Sequence, residues 1–172
     1  MKIRILILTI VILTSYSVNA QRTIPPTDTL FVTGKIKNST TFTLADLDTF
    51  PKIAIKDQII YNQNGEIKDT IMGMRGIPIK TLLASILYVY DKPKFLNEFY
   101  FVFTTSDGYK VVFSWNEIYN TETGNNFFIV TEMEGKKLKE LEQRIVFIST
   151  ADLKTGRRYI KGLEKIEVRQ VE

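Results

Sequence analysis

Residues 101–115 read FVFTTSDGYKVVFSW. Two runs rich in β-branched and aromatic residues flank Ser106-Asp107-Gly108. Asp107 carries a short carboxylate that can bond the nearby backbone, and Gly108 tolerates positive φ, so the stretch reads as a hairpin. Residues 99–104 and 109–113 are its expected arms. Ser114 and Glu117 then form a capping box for a short helix over 115–119. An antiparallel pair running directly into a short helix points to an α+β fold rather than a bundle or a parallel-sheet protein. The turn also has a functional reading, in which Ser106 and Asp107 present a hydroxyl and a carboxylate to a ligand.

Working outward, 29–36 (TLFVTGKI) reads as a strand with a glycine near its end. Thr43 and Asp46 have the spacing of a helix start, which gives a short helix over 44–48 that stops before Pro51. Residues 52–61 read as a strand, Asn64-Gly65 as a tight turn, and 66–72 as the returning strand. Pro78 suits the first turn of a helix. Ile79, Leu82, Leu83, Ile86 and Leu87 then recur at helical spacing. Further strands fall at 127–132, 144–149 and 166–171, with a Glu134-Gly135 reversal and a basic loop, DLKTGRR, at 152–158. The sum is a single domain over 29–172 of mixed β-sheet with short helices.

The first twenty residues stand apart. Lys2 and Arg4 precede an apolar run over 5–13, and Val18 and Ala20 occupy small-residue positions ahead of Gln21. That is the pattern of a signal peptide, 1–20, too short in its apolar part to span a bilayer. It predicts export to the periplasm or the exterior, with no stable membrane insertion after cleavage. Residues 21–28, with Pro25-Pro26, form an extended lead-in. The net charge is +4, and Lys2 and Arg4 supply two of those charges. Nucleic acid is therefore not an expected partner.

The chain has no cysteine and no histidine. That removes disulfides, thiolate nucleophiles and Ser–His–Asp triads. It also removes the usual ligands of tetrahedral zinc, blue copper and iron–sulfur clusters. Only hard cations held by oxygen remain open to it. Without a histidine base, Ser106 is a poor nucleophile.

Three further features are candidates for binding. Residues 72–76 (MGMRG) place Arg75 between glycines, ahead of the expected helix, where it can meet an anion. The loop with Lys154, Arg157, Arg158 and Lys161 can face a carboxylate or phosphate, or can simply be a solvated basic face. Asp46, Asp48, Asp107, Glu117, Glu122 and Glu132 are the carboxylates from which a catalytic pair would have to come, and nothing in their spacing pairs two of them.

Read together, several segments resemble the oxidoreductase molybdopterin-binding domain family, whose fold is that of the sulfite oxidase catalytic domain. They are VTGKIKNSTTFTLADLDTFP, MRGIPIKTLLASI, FVFTTSDGYKVVFSWNEI and the closing GKKLKELEQRIVFISTADLKTGRRYIKGLEKIEV. The resemblance covers about residues 30–171. It implies a sulfite-oxidase-like fold and a cofactor-binding face to which Arg75, Ser106, Asp107, Arg157 and Arg158 are the candidates. In catalytic members a cysteine thiolate ligates molybdenum, and arginine and histidine hold the pterin phosphate and the oxyanion substrate. This chain has no residue to match the cysteine or the histidine, which sets molybdopterin as a cofactor in doubt. The expectation is therefore a non-catalytic exported domain that binds a small anion or an exported partner protein. An oxidoreductase without a protein thiolate and a structural or assembly module are the alternatives.

Overall fold

The computed structural model describes residues 23–171. The expected signal peptide, 1–20, lies outside the described residues, as do residues 21, 22 and 172. In chain order the strands are β1 (Thr29–Gly34), β2 (Thr40–Thr43), β3 (Ile53–Ile55), β4 (Gln58–Tyr61), β5 (Ile67–Ile71) and β6 (Met74–Pro78). They continue as β7 (Phe99–Thr105), β8 (Lys110–Ser114), β9 (Phe127–Met133), β10 (Lys136–Lys137), β11 (Val146–Ser149), β12 (Ile160–Lys161) and β13 (Leu163–Gln170). Three short α-helices intervene: α1 (Leu44–Thr49), α2 (Ile79–Leu83) and α3 (Trp115–Tyr119).

The strands form two main sheets and a hairpin. The first sheet runs β2-β1-β13-β7-β8 and the second β12-β11-β9-β6-β3, with β10 also paired to β9. β4 and β5 pair only with each other. The pairing is antiparallel except between β1 and β13, which run parallel. This is a mixed, sheet-dominated α+β architecture, as expected from the sequence.

Alternation along the second sheet builds two cores. Phe127 and Ile129 of β9 and Phe147 of β11 face the first sheet, where they meet Phe101, Phe103, Phe113, Ile166 and Val168. Phe128 and Val130 of β9, with Val146 and Ile148 of β11, point the other way. There they are covered by Ile60 and Ile71 of the β4–β5 hairpin. The two-residue period of a strand divides one sheet between two apolar layers.

Local signals place the helices well. The Asp46 amide donates to Thr43 Oγ1 at 3.2 Å, and the Thr43 amide donates back to Asp46 Oδ2 at 2.8 Å, a complete capping box. At α3 only half of the expected box forms. The Glu117 amide donates to Ser114 Oγ at 3.0 Å, but the Glu117 carboxylate is taken by Arg158.

Three expectations change. The strand expected over 52–61 is broken at Lys56-Asp57 into β3 and β4, which lie in different sheets; Asp57 Oδ1 accepts the Gly73 amide at 2.9 Å where the chain turns. The segment read as a loop at 72–76 is largely strand: Met74–Pro78 is β6, paired with both β3 and β9. Gly76 permits this, because a Cβ there would sit 2.6 Å from the Ile129 carbonyl oxygen. The following helix stops at Leu83, so Ile86 is buried but Leu87 is 62% exposed.

Candidate functional site

The turn that opened the sequence reading is fixed from three sides. Asp107 Oδ1 accepts from the Thr105 hydroxyl and from the Tyr109 amide, the latter at 3.2 Å. The Ser106 amide donates to the Gly162 carbonyl at 2.8 Å, and Ser106 Oγ donates to the Pro25 carbonyl at 2.6 Å. The Tyr109 hydroxyl reaches across to the Arg157 carbonyl at 2.9 Å. The hairpin thus joins the N-terminal lead-in to the basic loop.

That loop is joined in turn to β4. Thr155, buried, donates to the Ile59 carbonyl at 2.8 Å and accepts from the Tyr61 amide at 3.1 Å. Gly156 lies so close that a Cβ would stand 2.4 Å from the Tyr61 carbonyl oxygen. Across the β4–β5 hairpin, Ile60 faces Asp69 while Tyr61 faces Ile67, so Lys68 is the extra residue of a β-bulge. A bulge re-aims side chains. Here the neighbours Lys68 and Asp69 both turn toward the same space, which the alternation of a regular strand would forbid.

The four segments enclose a cavity of about 230 Å³. Ile24, Ile60 and Ile160 give it apolar walls, and Tyr109 and Tyr159 add aromatic ones. Its charged groups are Lys68, Lys161, Asp69 and Asp107. Lys161 Nζ lies 5.1 Å from the centre of the Tyr159 ring. Among the described residues neither Lys68 nor Lys161 has a carboxylate partner or a hydrogen bond. Burial, then the negative fields of Asp69 and Glu134, push the Tyr159 hydroxyl well above the ordinary tyrosine range. It stays a neutral donor, directed at Met133 Sδ at 3.5 Å.

Of the five cofactor-binding candidates named from the sequence, Asp107 alone lines this cavity, together with Lys161 of the expected basic loop. Ser106 stands at its edge with its hydroxyl bonded to the lead-in. Arg158 is held away from it, in ion pairs with Asp152 and Glu117 and 5.2 Å from the ring centres of Phe113 and Phe127. Arg157, exposed, shares an open groove with Lys154 and Asp152. Arg75 is on β6, exposed, with Nη2 directed at the Lys52 carbonyl at 3.4 Å. The fold therefore unites the 106–109 turn with the 154–161 loop and leaves the 72–76 segment elsewhere. Sequence reasoning missed Lys68 and Asp69, whose position depends on a bulge that no local motif announces.

The other carboxylates are dispersed. Asp46 caps α1, Asp48 pairs with Lys52 at 2.5 Å, and Glu117 pairs with Arg158. Among the described residues no group of three or more acidic side chains is placed to hold a metal ion. Nor, among them, is any helix long and apolar enough to cross a membrane.

No family model matches the sequence, and no curated protein matches it. Solved structures do. The chain is similar to the sulfane dehydrogenase SoxCD from Paracoccus pantotrophus, with a TM-score of 0.59 and 14% sequence identity. The match covers 84% of this chain and 39% of that one. A likeness at this identity shows a distant relationship of fold. It leaves activity to be argued from the residues themselves.

The residues do not fit molybdopterin, the cofactor that the sequence resemblance implies. The chain supplies no thiolate and no imidazole. The Ser106 hydroxyl and the Arg158 guanidinium are already committed within the fold. The cavity, at about 230 Å³, lies below the ~300 Å³ at which drug-sized sites begin.

Proposed function

We propose that this chain is an exported, non-catalytic binding domain with a molybdopterin-binding-like fold, and that it takes a small anion in the cavity between the 106–109 turn, the 154–161 loop and the β4–β5 hairpin. The basic, apolar and small-residue order of residues 1–20 supports export. The segment resemblance and the structural likeness to a sulfane dehydrogenase support the fold assignment. The lack of thiol and imidazole supports binding without redox turnover.

One observation carries the ligand assignment. The bulge at Lys68 turns an ammonium group into the same enclosed space as that of Lys161, and neither has a counter-ion among the described residues. Asp107, the other carboxylate of the lining besides Asp69, is held by the Thr105 hydroxyl and the Tyr109 amide, so the two ammonium groups are left to attract an anion.

The reading is tested by titrating the protein with acetate and inorganic phosphate while following backbone amide shifts. Binding should perturb residues 60–69 and 156–161, and Lys68→Ala or Lys161→Ala should each weaken it roughly tenfold, the equivalent of ~1.4 kcal/mol. Unchanged affinity in both variants sinks the site. Recovery of one molybdenum per chain from the natural source sinks the non-catalytic reading.

A further inference from the structure

The cavity is not simply basic. Asp69 enters it beside Lys68, and its field is strong enough to help raise the Tyr159 hydroxyl. Among the described residues the Asp69 carboxylate has one hydrogen bond, a local one from the Thr70 amide to Oδ1 at 2.8 Å. Ile24, half-buried, and the Tyr109 and Tyr159 rings give the cavity its accessible apolar surface, while Ile60 and Ile160 behind them are each only 1% exposed.

A bare inorganic anion satisfies only part of that lining. It would answer the two ammonium groups, leave Asp69 facing like charge, and leave Ile24 and the two tyrosine rings against water. A ligand carrying a carboxylate, an ammonium group and a compact apolar body answers all three at once. Size agrees: about 230 Å³ is room for several water molecules at ~30 Å³ each, or for one organic molecule of roughly ten heavy atoms.

We infer that the ligand is a small apolar zwitterion, of the class of a free amino acid with a branched aliphatic side chain: carboxylate to Lys68 and Lys161, ammonium to Asp69, side chain against Ile24 and the Tyr109 and Tyr159 rings. This rests on the anion-binding reading above and narrows its ligand. Asp69 acts as the specificity-determining residue for the amine, because the other carboxylate of the cavity, Asp107, is held by the Thr105 hydroxyl and the Tyr109 amide.

The test compares L-leucine with 4-methylpentanoate, which lacks the amine, with 3-methylbutylamine, which lacks the carboxylate, and with inorganic phosphate. Calorimetric or amide-shift titrations of the intact protein supply the affinities. Leucine should bind at least roughly tenfold more tightly than any of the other three. Asp69→Asn should erase its advantage over 4-methylpentanoate, which should itself bind the variant at least as tightly as the parent once the like charge is gone. Equal binding of leucine and 4-methylpentanoate, or tightest binding by phosphate, overturns the zwitterion and leaves the anion site standing. Absence of binding by all four overturns both.

Discussion

Arg158 and Asp152 form a two-point ion pair: Nε donates to Oδ2 at 2.6 Å while Nη2 donates to Oδ1. A third nitrogen, Nη1, donates to Glu117 of α3. The Asp152 and Arg158 side chains are only 10% and 22% exposed, so this is not a loose surface pair. Burial opposes the guanidinium's charge, but the bonds and charges of Asp152 and Glu117 outweigh it and hold Arg158 above its ordinary pKa. The planar group also stands 5.2 Å from the ring centres of both Phe113 and Phe127, which are in edge contact with each other. Lysine keeps the charge but loses the fork and the stacking. Arg158→Lys should therefore lower stability by about 2 kcal/mol, read as a reduced urea midpoint with an unchanged slope. A variant as stable as the parent would show the clamp to be idle.

The lead-in is held by a few specific contacts. Besides Ser106 Oγ to Pro25, the Thr27 amide donates to the Gln143 carbonyl at 3.4 Å, and Asp28 pairs with Arg144. Gly162 leaves room for it: a Cβ there would lie 2.9 Å from both Ile24 Cγ2 and the Pro25 oxygen. Ser106→Ala and Gly162→Ala should each release residues 23–28, raising amide exchange at Thr27 roughly tenfold and exposing the Ile24 side of the cavity. Exchange confined to the parent rate in both would disprove the attachment.

Thr27 makes the opposite prediction. Its hydroxyl is buried and, among the described residues, has no hydrogen-bond partner. Thr27→Val keeps the shape and removes the stranded group, so it should stabilise the protein by ~1 kcal/mol. Calorimetric melting would show the gain; a lower Tm would mean that the hydroxyl is satisfied in solution.

Acid should loosen α1 first at its start. Bonds from the Thr43 hydroxyl and the Thr43 backbone amide hold the Asp46 carboxyl below its ordinary 3.8. A carboxyl depressed in the folded state contributes stability that is fully present above 3.8 and is lost as pH falls through the lower, folded value. The protection of the amides of residues 43–47, taken as exchange relative to the intrinsic rate at each pH, should fall in the parent between about pH 5 and about pH 2. In Asp46→Asn that dependence should flatten.

A backbone contact sets the last prediction. Gly34 ends β1 at φ +98°, and a Cβ there would fall 2.1 Å from the Val168 carbonyl oxygen. Neither obstacle can be relieved without parting β1 from β13. Gly34→Ala should cost at least ~2 kcal/mol, visible as a lower Tm.

What the sequence disclosed was whatever a few neighbouring residues decide. Thr43 with Asp46, Ser114 ahead of Glu117, and Asn64-Gly65 are local devices, and each helix start or turn lies where they put it. The break at Lys56-Asp57 was hidden because 52–61 has uniform β character, and only the distant Gly73 amide reveals where it bends. β6 was hidden by its glycines, which resemble a loop until Ile129 is seen pressing against Gly76. For the site, hydroxyl and charge type pointed to Ser106 and Arg158, yet both are occupied by Pro25 and by Asp152 with Glu117. Lys68 looked like an ordinary strand residue. Its aim comes from the bulge, which is a property of the pairing and not of the segment.

The parallel pairing of β1 with β13 has a bearing on how the molecule comes into being. β13 is the middle strand of its sheet, flanked by β1 and β7, so residues 29–34 have only β2 beside them until 163–170 exist. Joining chain segments so remote is entropically slow. A nascent chain that has not yet reached residues 163–170 therefore holds an unfinished sheet, and the joining of β1 to β7 waits for them.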